Sequence, residues 1–273
     1  MSSNLISRKV LRYSEADVAK VILEEAYRIL SSVVKTDVIV VGAGPAGLVT
    51  SWLLAEAGAR VVVLEHYLGA GGGMRGGSIL LPVAVVEEGK AIEILRRAGV
   101  RLRMVKEGLY VANPTELAAK LTAKAVDAGA LFLPGYHVED LIVSLEDKGL
   151  RVRGVVVNLS PAIDAGWHID PFYMESRIVV DATGHDAYLV RLLAEKYPEY
   201  VRIKGMKSLD IWRGEREVIE KSGPIVPGLY LAGMSVSIAH GTHRMGPVFA
   251  GMFLSAYTTA EKIAKELGVK LKC

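Results

Sequence analysis

The apolar and polar positions divide the chain into a leading helix, a strand–helix–strand unit and a strand-rich return. Residues 14–32 repeat apolar side chains at helical spacing, open on Ser14 and carry Glu15 and Asp17 in the first turn, predicting a serine-capped amphipathic helix. Its place before the first strand predicts packing outside the core or against a neighbour. Val38 to Val41 is an apolar run of strand type, Leu48 to Ala57 is helical, and Arg60 to Leu64 is a second strand ending on Glu65. Residues 88–98 predict a short helix, 100–112 strand-like segments, and Pro114 to Ala128 a helix capped by Asn113 with Pro114 at its first position. Leu131 to Leu145 and Leu150 to Asn158 predict antiparallel strands about a turn at Glu146-Asp147-Lys148-Gly149. Ile178 to Asp181 is a strand leading into Ala182-Thr183-Gly184-His185-Asp186 and a helix. Leu229 to Met234 is the last strand, followed by a glycine-rich turn and a long helix from about Pro247 to Leu267.

Between the first strand and helix stands Gly42-Ala43-Gly44-Pro45-Ala46-Gly47. Gly42 permits a tight turn, Gly44 lets a pyrophosphate approach the backbone, and Gly47 lets helix and strand pack closely. The helix N-terminus then offers free N–H groups to phosphates. Glu65, about twenty residues past the glycines, is placed to accept hydrogen bonds from an adenosine ribose. The element order resembles the two-part architecture of glutathione-reductase-type dinucleotide proteins. It predicts an α/β, Rossmann-like fold with an inserted antiparallel β/α region. One intertwined domain, 1–273, is expected: helix 14–32, nucleotide-binding unit 36–66, insertion 88–175 and return to the core 176–273. Directly after Glu65 comes a loop with glycines at 69, 71, 72, 73, 76 and 77. It is either a flexible lid or a backbone surface for phosphate or adenosine, with Arg75 as a candidate charge partner.

Composition narrows the function. The chain is 51% hydrophobic and 23% charged, an apolar excess that predicts further burial between subunits or in a deep ligand site. A net charge of +3 with no basic run argues against nucleic acid. Charges throughout residues 1–35 argue against a secretory signal, and the glycines interrupting Val38 to Ala59 against a membrane span. The single cysteine, Cys273, excludes an internal disulfide or cysteine metal site and fits a reducing, cytoplasmic setting.

Six histidines remain as candidate chemistry: His66, His137, His168, His185, His240 and His243. His168 and Asp170 stand two apart before Pro171, a spacing that puts both side chains on one side of an extended chain. His185 follows a strand at the ligand-facing end of such sheets. Two imidazoles and one carboxylate suit a divalent first-row metal, particularly Fe(II). His243-Arg244-Met245-Gly246-Pro247 is expected to open a helix, where Arg244 can clamp a small carboxylate or else form a surface salt bridge. The glycine triplet, Asp181-Ala182-Thr183-Gly184 and Leu231-Ala232-Gly233 point first to a flavoprotein. Flavoenzymes of this fold usually follow the last motif with an acidic residue. Here Met234, which cannot accept those hydrogen bonds, predicts that no flavin is bound.

Together these motifs, with Glu65, Gly71-Gly72-Gly73, Gly76-Gly77, Asp170-Pro171, Thr183-Gly184-His185-Asp186 and Arg244-Met245-Gly246-Pro247, resemble the thiamine thiazole synthase family. The resemblance implies an enzyme that consumes NAD with glycine to build an adenylated thiazole carboxylate, releasing nicotinamide. In many eukaryotic members a cysteine before x-Asp-Pro gives up its sulfur. Here His168 stands there, as in the archaeal-type branch, which takes free sulfide and turns over repeatedly with Fe(II). The resemblance further implies Asp170 and His185 as iron ligands from adjacent protomers of a homo-oligomer, an octamer by family expectation. Gly42, Gly44, Ala46, Gly47, Glu65, His66, Gly73, Val138, His168, Ile169, Asp170 and Met234 would contact NAD or its products, and Arg244 would hold the glycine carboxylate. His168, Asp170 and His185 would be the catalytic residues, His168 lining the site or touching NAD and not counted among the iron ligands. Met74-Arg75 departs from the Ser/Thr-Trp common in that glycine loop. A flavin oxidoreductase of the same fold and a ribose 1,5-bisphosphate isomerase are the competing readings.

Overall fold

The computed structural model describes residues 12–146 and 149–272. Asp147 and Lys148 of the expected turn, and Cys273, lie outside the described residues. The chain separates into two compact units between Lys35 and Thr36, where the sequence predicted one domain. In the first, helix α1 (Glu15–Val33) begins as expected. Ser14 accepts the Asp17 N–H at 3.2 Å, and Asp17 accepts the Ser14 N–H at 2.8 Å, so the two side chains cap reciprocally.

The second unit opens inside β1 (Lys35–Val41), which α2 (Pro45–Glu56) and β2 (Val61–Glu65) follow. The helix starts at Pro45 rather than Leu48, because proline at the first position lacks only a donor that has no helical acceptor anyway. Next come β3 (Ala84–Glu87), α3 (Lys90–Arg97), β4 (Arg103–Lys106) and β5 (Leu109–Ala112), the strands forming a small antiparallel sheet. Helix α4 (Pro114–Asp127) carries the expected cap, Asn113 accepting the Thr115 and Glu116 N–H groups at 2.9 and 3.1 Å.

One strand assignment needs correction. Leu131 to Leu145 is not one strand but two: β6 (Leu131–Pro134), parallel to β2, and β7 (Tyr136–Glu146), antiparallel to β8 (Gly149–Leu159). Gly135, at φ +79°, breaks the run between them. Thus α4 and β6, expected in the insertion, extend the parallel core. After α5 (Ser160–Asp164), β9 (Phe172–Asp181) pairs first with β8 and then, in parallel, with the later strand β12. Then follow α6 (Tyr188–Lys196), β10 (Lys207–Leu209), α7 (Ile211–Lys221), β11 (Gly223–Val226), β12 (Leu229–Leu231), α8 (Met234–His240), β13 (His243–Arg244) and α9 (Ala250–Leu267). The short α8 occupies what the sequence predicted as a turn.

The main sheet runs β11-β12-β9-β1-β2-β6, with β7 and β8 joined through β9. This order sets the distant end of β9 beside β1, and the Ala182 N–H donates to the Val41 carbonyl at 2.9 Å. Helix α2 is buried almost all round, Leu48, Val49, Trp52, Leu53 and Leu54 each at most 1% exposed, because α4 and α9 pack against it. The result is a rigid base under the loops at the strand ends. Among the described residues no helix is long and apolar enough to cross a membrane.

Candidate functional site

The glycine triplet is explained atom by atom. A Cβ on Gly42, at φ +97°, would lie 2.5 Å from the Ala182 carbonyl oxygen, and one on Gly47 would lie 1.9 Å from the Gly42 carbonyl oxygen. Those two glycines allow β1, α2 and the end of β9 to touch. A Cβ on Gly44 would meet nothing within 4 Å, so this glycine faces open space. Glu65 is 7% exposed and already engaged: Oε2 accepts the Ala43 N–H at 2.7 Å and Oε1 the Tyr67 N–H at 2.9 Å. Its carboxylate therefore braces the cradle itself. Each oxygen keeps a second lone pair for a ligand hydroxyl.

These groups open into a cavity of about 670 Å³ at the strand ends, lined on one side by Gly44, Ala46 and Glu65. Gly73, His185, Met234 and Arg244 line it too, so seven of the expected residues share one chamber. His185 enters it on a single 3-10 turn, Gly184–Asp186, which Gly184 at φ +75° and Ala187 at φ +43° bracket. Burial first, then the Arg244 charge, lowers the His185 pKa below the ordinary histidine value against the pull of Asp186. Near neutral pH its imidazole is uncharged, with a lone pair free for a divalent metal.

The remaining expected residues lie elsewhere. Gly42 and Gly47 form the packed base of the cradle rather than the cavity wall. Val138 is buried in β7, and residues 165–170, including His168, Ile169 and Asp170, are exposed and outside the chamber. His66 faces His137, their Nδ1 atoms 3.2 Å apart, and His137 Nε2 stands 3.2 Å from the Tyr188 hydroxyl. Among the described residues no three His, Cys, Asp or Glu side chains gather to hold a metal. The chain brings His185 to the chamber and leaves His168 and Asp170 outside it.

Arg244 also needs correction. It does not open a helix: it lies in β13, paired with β10, and α9 begins only at Ala250. The dipole of α9 is several residues too far along the chain to assist it. Arg244 is held through its backbone instead, its carbonyl accepting the Asp210 N–H at 3.1 Å. Glu217 on α7 fixes the preceding residue, accepting from the His243 N–H at 2.9 Å and lying 3.0 Å from its Nδ1. At the far end of this loop, Glu215 accepts the Gly251 N–H at 2.5 Å.

Sequence reasoning passed over Asp181 as an organiser. Fully buried, it accepts bonds from the Thr183 N–H and hydroxyl at 3.1 and 2.7 Å, the Val190 N–H at 2.9 Å and the Ser235 hydroxyl at 3.0 Å. One carboxylate thus shapes the His185 turn and ties α6 and α8 to it. The signal was present: an acidic residue ending an apolar strand, the same pattern that singles out Glu65.

The Thi4 family profile matches residues 19–249. A thiamine thiazole synthase of Archaeoglobus fulgidus is 45% identical over 259 residues, covering 95% of this chain and 98% of that protein. Those of Pyrobaculum neutrophilum and Sulfolobus acidocaldarius are 44% and 39% identical, covering 93% and 96% of this chain and 97% and 98% of theirs. The crystal structure of Thermovibrio ammonificans THI4 superposes with a TM-score of 0.90 at 37% identity, over 94% of this chain and 99% of that one. Matched in sequence and in fold over nearly its whole length, the chain belongs to the Thi4 family.

Proposed function

We propose that the chain is a thiamine thiazole synthase that converts NAD, glycine and free sulfide into the adenylated thiazole carboxylate, releasing nicotinamide over many turnovers with Fe(II). The observation that carries this reading is the shared chamber. It sets a dinucleotide cradle, an uncharged imidazole and a guanidinium around one space of about 670 Å³, enough for a dinucleotide and a small second substrate.

In this reading Gly44 and the α2 N-terminus receive the diphosphate. Glu65 accepts from the adenosine ribose while bracing the cradle. Met234, 8% exposed at the start of α8, gives the chamber an apolar wall. Arg244 grips the glycine carboxylate and orients its amine toward the opened ribose. His185 would hold Fe(II) together with Asp170 of a neighbouring protomer. The metal, when bound, would supply a Lewis-acid centre for the soft sulfide anion. His168 stands where a sulfur-donating cysteine would be, and an imidazole has no sulfur to give. The exposed Trp167, Ile169 and Tyr173 around Asp170 support burial against another copy.

Anaerobic incubation with NAD, glycine, sulfide and Fe(II), followed by mass analysis, tests the proposal. More than one adenylated thiazole per chain is expected, with Cys273→Ser fully active and chelation abolishing product. A yield that never exceeds one per chain would overturn the multiple-turnover reading. Stoichiometric FAD released on denaturation would instead favour a flavin oxidoreductase.

A further inference from the structure

The glycine loop after β2 carries a second cation into the chamber. Arg75 lines the same cavity as Arg244, and among the described residues no hydrogen bond or ion pair engages its guanidinium. The loop is seated on the cradle: the Gly71 N–H donates to the Ala43 carbonyl at 2.7 Å, and a Cβ on Gly72 would lie 3.1 Å from the Gly44 α-carbon. The glycines also make room for the arginine. A Cβ on Gly69 would fall 2.6 Å from Arg75 Nη1, and one on Gly71 would fall 2.8 Å from Arg75 Cγ. A loop that only had to be flexible would not need to be hollowed along one side chain.

The two arginines differ in their surroundings. Arg244 acts electrostatically on His185, at the chemical end of the chamber, whereas the loop of Arg75 rests on Gly44 and Ala43. Nearby Glu65 is occupied by two backbone N–H groups and leaves Arg75 unpaired. A free guanidinium lining the same cavity as an open glycine and a helix N-terminus matches a diphosphate, whose oxygens a planar fork can take in pairs. We infer that Arg75 binds the diphosphate of the adenine dinucleotide, dividing the ligand's anionic groups with Arg244. This rests on the dinucleotide-binding reading above and names the residue that recognises its most highly charged part.

Calorimetric titration of the whole protein with ADP and with adenosine tests the assignment without any turnover. Arg75→Ala should weaken ADP by about ten- to a hundred-fold, as for the loss of a charge-assisted hydrogen bond, and change adenosine less than about twofold. Arg75→Lys should fall between, since it keeps the charge and loses the fork. Arg75 is exposed, so the substitutions leave the packed base intact. Unchanged ADP affinity in Arg75→Ala, or an equal loss for adenosine, overturns the role of Arg75 alone. A wild-type protein that binds neither ADP nor NAD overturns the dinucleotide reading, and this inference with it.

Discussion

The cradle and the stretch from Ser160 to Pro171 are both parts of the proposed site, yet they satisfy their groups in opposite ways. In the cradle, Gly42 and Gly47 touch backbone, Glu65 accepts from the Ala43 and Tyr67 N–H groups, and α2 is sealed by α4 and α9. In the other stretch, residues 165–170 are all exposed, Trp167 at 66% and Ile169 at 49%, and Asp170 has no hydrogen bond or ion pair among the described residues. The cradle is complete within its own chain. Past the buried Ser160 and Ala162, this stretch leaves Trp167 and Ile169 as open apolar surface, which a second copy would cover in the proposed assembly.

The strongest test of this contrast is complementation. Asp170→Ala and His185→Ala should each be inactive alone. Mixed and allowed to exchange subunits, they should regain about a quarter of wild-type activity, since random pairing leaves that share of shared sites with both ligands. Product measured before and after verified exchange decides it. No recovery would mean that each chain completes its own site.

Stability gives the next largest contrast. Gly47→Ala forces a Cβ to 1.9 Å from a backbone oxygen that cannot move without separating α2 from β1. A loss of about 3 kcal/mol is expected, the upper end for overpacking, together with loss of NAD binding. Trp167→Ala should change the unfolding free energy of the isolated chain by less than about 0.5 kcal/mol and reduce the assembly's mass instead. Denaturation and light scattering separate the two. A large midpoint shift for Trp167→Ala in a monomer would remove the distinction.

The same contrast explains what was legible in the sequence. The strand–helix–strand unit and the caps at Ser14 and Asn113 could be read because local pattern dictates them, whereas only the family resemblance set Glu65, His185, Met234 and Arg244 at one site, and all four line one cavity. The division at Gly135 was missed because a glycine inside an apolar run leaves the periodicity intact while its φ of +79° interrupts the extended path. Arg244 was placed on a helix because Gly246-Pro247 looks like a helix start. In the structure the adjoining residues pair with β10, a long-range contact that no local pattern encodes. Asp170 presents the same difficulty in stronger form, since the resemblance places its partner outside the chain altogether.

A smaller effect separates the two substrates within the chamber. Arg244→Ala removes a clamp worth about 1.5–3 kcal/mol, so the KM for glycine should rise about ten- to a hundred-fold while NAD affinity stays near wild type. Steady-state kinetics with each substrate varied in turn checks it. An equal loss for both would make Arg244 a support of the loop rather than a ligand for glycine.

The smallest effect concerns how that loop is held. Glu215 is 4% exposed, one oxygen accepts the Gly251 N–H, and the other, Oε1, has no hydrogen-bond partner among the described residues. Burial, with a lesser contribution from Glu87, raises its pKa to about 7, although the Gly251 bond pulls the other way. Because the folded value exceeds the unfolded one, the folded protein retains a proton that the unfolded chain has lost. Stability must therefore fall as pH rises from the unfolded value through about 7. Between about pH 6 and about pH 8 the loss should be about 1 kcal/mol, and Glu215→Gln, which cannot ionise, should abolish that part of the slope. Glu217, which holds the same loop through His243, is pulled down to about 2 chiefly by the His243 N–H and does not titrate in this window. Urea midpoints across the range, for wild type and Glu215→Gln, provide the measurement. Parallel curves would show that the carboxyl is solvated in the folded protein, and that the chamber's Arg244 loop is anchored at its α9 end by packing rather than by a buried charge.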